Sequence, residues 1–470
     1  MNAARAIAEG EEPQSGGFLG HPKGLAYLAF TEAWERFSYY GMSALLVLYM
    51  VNQLLLPGHI EHVAGFGAFR NAVEGIFGPL STQALASEIF GLYSAFVYFT
   101  PVMGGWLGDR VGQRSAVVLG GLSMTCGHLA MAFDQSFLIA LLLLIVGSGL
   151  LKGNISAQVG ALYPIEEEER RSRGFAIFST GINVGAVAGP VVCGYLGTRF
   201  GWHAGFGLAA LFMLAGVATY LSGFRYLPAR VERKTVSGVA MTADDRKIVG
   251  ALVLVMALMI LPDIAYYQLQ NVLPIWLQQY GDMSAGGFQL PIPWFSSVDP
   301  LFSILCVPLL LKLWQRQARG SGEPSELRKI ATGSFICGGA NLILVAAMVV
   351  YGGAKVPWIW AFIFCAFQGV GFMYFWPPFL ALVSRTAPPR INATMIGAAF
   401  LALFVGNNLI GWIGTYYEAL GPTAFWALHA AIGCSGGLLA LVLAWLLKGI
   451  LEPRPVDGPG PADTAEEAER

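Results

Sequence analysis

Charge is scarce in this 470-residue chain: Asp, Glu, Lys and Arg together make up 12% of it, about half the share carried by soluble domains. With 55% hydrophobic residues beside that scarcity, an ordinary water-soluble domain is excluded. A surplus of positive charge is missing too. The 28 Lys and Arg against 29 Asp and Glu leave a net charge of −1, which offers nothing to nucleic acid. Cysteine is sparse, and Cys126, Cys193, Cys306, Cys337, Cys365 and Cys434 all fall in apolar stretches. Their spacing suits buried free thiols, with no disulfide frame and no metal site. Residues 1–20 are polar and acidic, without an apolar core or a cleavage pattern. No signal peptide is expected there, and the first apolar stretch itself would direct insertion. A nucleophile motif and a cofactor loop are absent as well, which gives a membrane enzyme no support.

What is there is a series of long apolar stretches. A spanning helix needs about 20 mostly apolar residues. Twelve candidates follow: 25–53, 84–108, 114–133, 136–162, 172–198, 203–223, 247–278, 294–315, 329–352, 357–385, 391–417 and 423–449. They divide the chain into an N-terminal tail (1–24), a six-helix bundle (25–223), a polar basic linker (224–246), a second six-helix bundle (247–450) and an acidic, Pro/Gly-rich tail (451–470) of disordered composition. The Gly-rich segment 54–81 reads as a long loop, and 278–293 as a polar outer loop. With the N-terminus placed inside, 23 of the 28 Lys and Arg fall on the inner side and only Arg70, Arg199 and Lys355 outside, with Arg36 and Lys152 left inside helices. That skew predicts an even helix count with both termini cytoplasmic. The halves echo each other: Arg173 precedes a helix carrying Gly181, Gly185 and Gly189, and Arg390 one carrying Gly397, Gly406 and Gly411, small residues that let helices approach closely. Two six-helix halves joined by a basic inner linker is the layout of the major facilitator fold, an all-α membrane architecture with its site at the midplane.

Lys152 and the run Glu32-Ala33-Trp34-Glu35-Arg36 place full charges deep in these stretches. An ionisable group at bilayer depth costs roughly 2.5–3.5 kcal/mol on insertion scales, so such groups pair and face a hydrated cavity. Arg36 and Lys152 each lie about 11 residues, or roughly 16 Å, from the inner edge, too far for snorkelling. Glu32, Glu35, Arg36, Tyr39, Tyr40 and Ser43 form one polar stripe. Glu32 and Arg36, at i and i+4, can pair, which leaves Glu35 for a partner elsewhere. A charge network that only fixes helix packing is the alternative reading.

Gly105-Trp106-Leu107-Gly108-Asp109-Arg110-Val111-Gly112-Gln113-Arg114 resembles the G-x-x-x-D-R-x-G-x-R loop of the major facilitator superfamily. Its glycines suit a tight turn, and Asp109 can pair with an arginine or sit at a helix start. Gly105, Asp109, Arg110 and Arg114 would have a conformational role. E-x-x-E-R followed by Phe37-Ser38-Tyr39-Tyr40-Gly41-Met42 resembles the first-helix signature of the proton-dependent oligopeptide transporters. Leu150-Leu151-Lys152-Gly153-Asn154-Ile155-Ser156 is similar to that family's fourth-helix lysine motif. Gly174-Phe175-Ala176-Ile177-Phe178 and Gly181-Ile182-Asn183-Val184-Gly185 are similar to its fifth-helix signature. Trp294-Phe295-Ser296-Ser297-Val298-Asp299-Pro300-Leu301-Phe302 is similar to its eighth.

The resemblance implies inward movement of di- and tripeptides with protons, across a bacterial inner membrane, with no cofactor beyond the coupling proton and no obligate protein partner. By it, Glu32 and Glu35 carry protons and Arg36 and Lys152 hold the peptide carboxylate. Tyr39, Tyr40 and Tyr98 line the pocket, and Asn183 lies near the peptide amine. The second half departs from the pattern. The seventh-helix glutamate falls at Tyr267, with Asp263 one turn earlier as a substitute or a polar entry residue. The first-helix arginine is Ser43, so the outer gate those two family residues form must close by other contacts. The tenth-helix glutamate, five residues before Pro377, is Phe372, and the eighth-helix asparagine is Asp299. Asp299 then either supplies the missing negative charge or caps a helix broken at Pro300. Trp412, Trp376 and Tyr374 are further possible liners. A transporter of another small organic anion or amino-acid derivative, and a non-transporting sensor, stay open.

Overall fold

The computed structural model describes residues 17–164, 167–228, 241–320, 322–388 and 390–451. The expected linker and both tails fall largely outside these. Twelve long helices are present among the described residues. In the first half they are α1 (Lys23–Tyr49), α3 (Thr82–Val111), α4 (Gln113–Ala130), α5 (Phe137–Ala161), α6 (Glu168–Phe200) and α7 (Trp202–Ser222). In the second they are α8 (Ala243–Asn271), α10 (Val298–Arg319), α11 (Glu326–Tyr351), α12 (Ile359–Thr386), α13 (Asn392–Gly414) and α14 (Tyr417–Leu446). Ten are long and apolar enough to cross a membrane. The other two are α4 and α1, which carries Glu32, Glu35 and Arg36 at its middle. The chain is an all-α, multi-pass membrane protein.

Segment 54–81 is not a bare loop. It holds α2 (Phe66–Phe77), which starts after Gly65 and stops at Gly78, both at positive φ. The four glycines at 65, 67, 75 and 78 mask the pattern in the sequence, yet Phe66 and Val73 bury one face. The expected helix 247–278 breaks after Asn271 and its end forms a separate α9 (Leu273–Tyr280), with Trp276 and Leu277 buried; beyond it lie short strand pairs, one joining 281–282 to 356–357.

Within the first half α1 packs on α6 and α7, α3 on α5, and α4 on α5 and α7; in the second α11 packs on α12 and α14, and α8 on α13 and α14. The α6 glycines make close approach possible: a Cβ on Gly185 would collide with the Ala33 carbonyl oxygen. The second-half echo is partial, because Gly397 faces open space while Gly406 abuts Asp263 and Gly411 abuts Gly91. All six cysteines are free, but Cys126 is exposed on the bundle's outer surface.

The motif between α3 and α4 forms a turn shorter than a loop. Gly105, Asp109 and Arg110 lie in the last turns of α3, so Asp109 does not start a helix, and Gly112 alone, at φ +91°, makes the turn. Gly108 packs against the Asn154 amide. Arg110 stacks over Trp106, 3.7 Å from the ring centroid. Arg114 donates to the Leu227 carbonyl and stacks on Phe224, tying the turn to the end of the first bundle.

Two ends of the molecule can be distinguished. One carries the starts of α1 and α8 and the α3–α4 turn, and is called the linker side. Among the described residues, hydrogen bonds between the halves lie at mid-height or on the opposite, far side: Asn52 with Gln278, Ser81 to Glu418, Gln83 to the Gly414 carbonyl, Trp294 to the Val191 carbonyl and Ser297 to the Val187 carbonyl. The deepest is Tyr98 Oη to Tyr267 Oη at 2.9 Å. Among the described residues the halves are therefore fastened at the far side and free of such bonds at the linker side.

Candidate functional site

A cavity of about 490 Å³ lies between the halves. Its walls come from α1 (Tyr39, Tyr40), α3 (Tyr98), α6 (Ser179, Thr180, Asn183), α8 (Tyr266, Tyr267, Gln270), α10 (Asp299, Ser303, Val307, Pro308) and α12 (Phe372, Met373). It runs from Asp299 toward the linker side along Ser179, Thr180, Val307 and Pro308. Of the residues the sequence pointed to, Tyr39, Tyr40, Tyr98, Asn183, Tyr267 and Asp299 line it directly.

Arg36 and Lys152 stand behind the tyrosine wall. Arg36 Nε lies 2.5 Å from Glu35 and 3.0 Å from Glu32. Glu35 thus pairs with its own neighbour rather than with a residue elsewhere. Arg36 Nε and both Glu35 oxygens make no directed hydrogen bond, so charge attraction holds the Glu35 contact. Such a dry, close triad is stable only while no member loses its partner. Among the described residues the Lys152 ammonium meets no carboxylate within 4 Å. It lies 4.7 Å from the Tyr39 ring centroid and 5.5 Å from that of Tyr98, and the Arg36 guanidinium is 5.6 Å from Tyr39. Two cations therefore bear on one ring, an attraction that gains strength where water is excluded. Tyr39 lines the cavity, and both cations sit against its ring.

At the opposite wall Asp299 sits in the first turn of α10 and makes no capping bond. Its two oxygens accept from Tyr266 Oη at 2.9 and 2.6 Å, which removes the capping alternative. Tyr266 stacks on Phe372, ring centroids 5.1 Å apart. Asp263 is buried outside the cavity. Its carboxyl has no hydrogen-bond partner and points at Gly406, where a Cβ would come within 2.5 Å. Trp412, Trp376 and Tyr374 do not line the cavity. Trp412 is exposed beside Tyr416, Trp376 packs on Phe379 and Phe400, and Tyr374 packs on Trp314. Tyr266, Gln270 and Ser303 were missed in the sequence. Tyr266 had a usable signal, lying three residues after Asp263 and next to Tyr267.

A central chamber between two six-helix halves, walled by both, is matched by the sequence comparison: the family model of the Major Facilitator Superfamily covers residues 35–411. The chain belongs to the major facilitator superfamily. Within it, this is a member of the proton-dependent oligopeptide transporter family, the POT family. The chain is similar to the uncharacterized transporter YclF of Bacillus subtilis (strain 168), 29% identical over 93% of this chain and 97% of that one. It is 27% identical to a di-/tripeptide transporter of Lactococcus lactis subsp. cremoris, over 91% and 96%. In three dimensions it resembles the crystal structure of a mutant peptide transporter POT in complex with alafosfalin, with a TM-score of 0.81, 27% identity and coverage of 94% and 98%. This POT-family chain is a transporter by every one of those likenesses, and its charged first helix lies at the start of the matched region.

Proposed function

We propose that the chain is a proton-coupled symporter that imports di- or tripeptides, or peptide-like zwitterions, by alternating access. The observation that carries this is the polarity of the chamber: the buried Arg36 and the half-buried Lys152 against Tyr39 at one wall, one carboxylate held by Tyr266 at the other. A zwitterion fits between opposite charges, with its carboxylate toward Arg36 and Lys152 and its ammonium toward Asp299. Tyr40, Tyr98, Tyr267 and Asn183 would flank the backbone. Glu32 and Glu35 are the proton carriers. When a substrate carboxylate draws Arg36 or Lys152 away, the glutamates lose the charge that favours their ionised form and take up a proton. Asp263, buried without a partner, is a further candidate carrier. Gly105, Asp109, Arg110 and Arg114 would set how the turn moves with the bundle. The linker side is read as cytoplasmic, with both termini on it and the membrane a bacterial inner one. The fastening of the halves at the far side supports an inward-open chamber.

A second reading has its own support. Phe372 lies over Tyr266, so the wall near Asp299 is aromatic where the family resemblance places a second acid. A small organic anion or amino-acid derivative needs only the cationic wall. Uptake into proteoliposomes under an inward proton gradient, run with labelled dipeptide and with its N-acetylated form, tests the two. Gradient-dependent accumulation of the free dipeptide is expected. Accumulation of the acetylated compound alone would overturn the zwitterion reading in favour of the anion.

A further inference from the structure

The widest packing between the halves is α3 against α13, and at its centre the two backbones touch. A Cβ on Gly91 would lie 2.5 Å from Gly411 Cα and 2.8 Å from the Asn407 carbonyl oxygen. Toward the far side the seam continues through Gln83, which donates to Ser87 Oγ and to the Gly414 carbonyl. Gln268 and Asn271 of α8 both donate to the Ile410 carbonyl. Ser43 and Tyr267 stand where the family resemblance places an arginine and a glutamate, so this polar, glycine-lined seam is a main contact closing the far side, beside the bonds of Asn52, Trp294 and Ser297.

One ionisable group is enclosed in it. Glu88 of α3 is 1% exposed, its Oε2 is buried without a hydrogen-bond partner, and the Gly411 backbone packs over its Cα. Among the described residues, the groups that α13 and α8 turn toward this level of α3 are uncharged. On α13 Gly411 and Asn407 are neutral, and on α8 Gln268 and Asn271 are amides. On α14 the carboxylate of Glu418 is occupied by Ser81, seven residues toward the far side. Asp263 of α8 lies against Gly406, five residues along α13 from Gly411. Among the described residues no cation is near enough to act on Glu88. A bare carboxylate enclosed without a cation or donor is strongly disfavoured relative to its protonated form. Glu88 stands ten residues from Tyr98 on α3, about 15 Å toward the far side, so it is separate from the chamber and from the Glu32–Glu35–Arg36 triad.

We propose that Glu88 is a proton-binding site of the far-side gate, and that the seam closes only after its carboxylate has taken a proton from far-side water. Opening the seam admits water to the carboxyl, which releases that proton and becomes ionised. The ionised form then holds the gate open until a proton returns. One O–H bond forms on closing and breaks on opening, with water as the only partner. The inference rests on the alternating-access reading, but its readout needs no substrate.

The test places nitroxide labels at T82C and Y416C, exposed at the far-side ends of the two helices, in reconstituted full-length protein with Cys126 changed to Ser. Inter-label distance distributions are recorded from about pH 4.5 to pH 9, a span that brackets ordinary and burial-shifted carboxyls. The expected result is a single short population at low pH and a growing long one as pH rises. E88Q, which keeps shape but cannot ionise, is expected to hold the short population throughout, as is E88L. E35Q is expected to keep the pH-dependent shift while losing driven transport, so failure of the symport reading leaves this result distinct. A pH-invariant wild-type distance, or an E88Q or E88L profile that follows the wild type, overturns the proposal.

Discussion

Replacing Glu35 by Gln removes one member of a buried triad without orphaning the rest. Arg36 keeps Glu32 at 3.0 Å, so the loss of stability stays below the roughly 3–5 kcal/mol that follows when a buried charge loses its only partner. The protein should therefore remain folded and measurable. The functional loss is different in kind. A proton moving down one pH unit supplies about 1.4 kcal/mol, a factor of ten in concentration. Wild-type protein in proteoliposomes, with the membrane potential clamped and the lumen one unit more alkaline, should accumulate labelled dipeptide about tenfold per coupled proton. Glu35→Gln should equilibrate it to a ratio near unity, yet still exchange internal for external substrate with no gradient imposed. Accumulation by the variant equal to that of wild type would refute the assignment of Glu35 as a carrier and, with it, the reasoning from the Arg36 contact.

The other consequences are more local. Tyr266→Phe removes the single O–H that the two Asp299 oxygens share; with a charged acceptor that bond is worth about 1.5–3 kcal/mol, so dipeptide affinity by isothermal titration should fall about tenfold or more, and Asp299→Asn should fall further for the free peptide than for its acetylated form. Gly185→Val forces a side chain into the Ala33 backbone, and should lower the unfolding temperature in detergent by an amount matching about 1–3 kcal/mol or more; an unchanged melting curve would contradict the α1–α6 packing. His21 bonds Tyr163 at 2.9 Å, and burial, then Arg170 and Arg173, hold its pKa below the ordinary 6.5. Its contribution is therefore complete above pH 6.5 and is lost as pH falls through the lowered value. Amide exchange of residues 17–22 should quicken on acidification, after correction for intrinsic rates, and should not in His21→Asn.

The membrane fold was legible because burial in lipid leaves a coarse signature, runs of about 20 apolar residues punctuated by basic loops. The charges of α1 were legible for the complementary reason, that they stand out against such runs. What escaped depends on which face a residue turns. Phe66–Phe77 lies on the surface of the bundle ends, where four glycines blur its pattern. Arg36 and Lys152 stand out in the sequence as charges within apolar stretches, but that both sit against the ring of Tyr39 depends on rotamers, which no spacing rule reports. Trp412 and Trp376 have the composition of pocket walls and the position of packing and outer surface. Glu88 carries the same signal as Lys152, an ionisable group inside an apolar stretch, here Leu85-Ala86-Ser87-Glu88-Ile89. Its isolation shows only once α13 is laid against α3.

Pro308 lies within α10 and on the chamber wall together with Ile304. Proline has no amide hydrogen to give the carbonyl four residues back, so the rung between those two residues does not exist in any state of the helix. Flexing α10 at that level therefore breaks no bond between those two residues. The α10 wall of the chamber thus has one backbone rung fewer to lose when it moves.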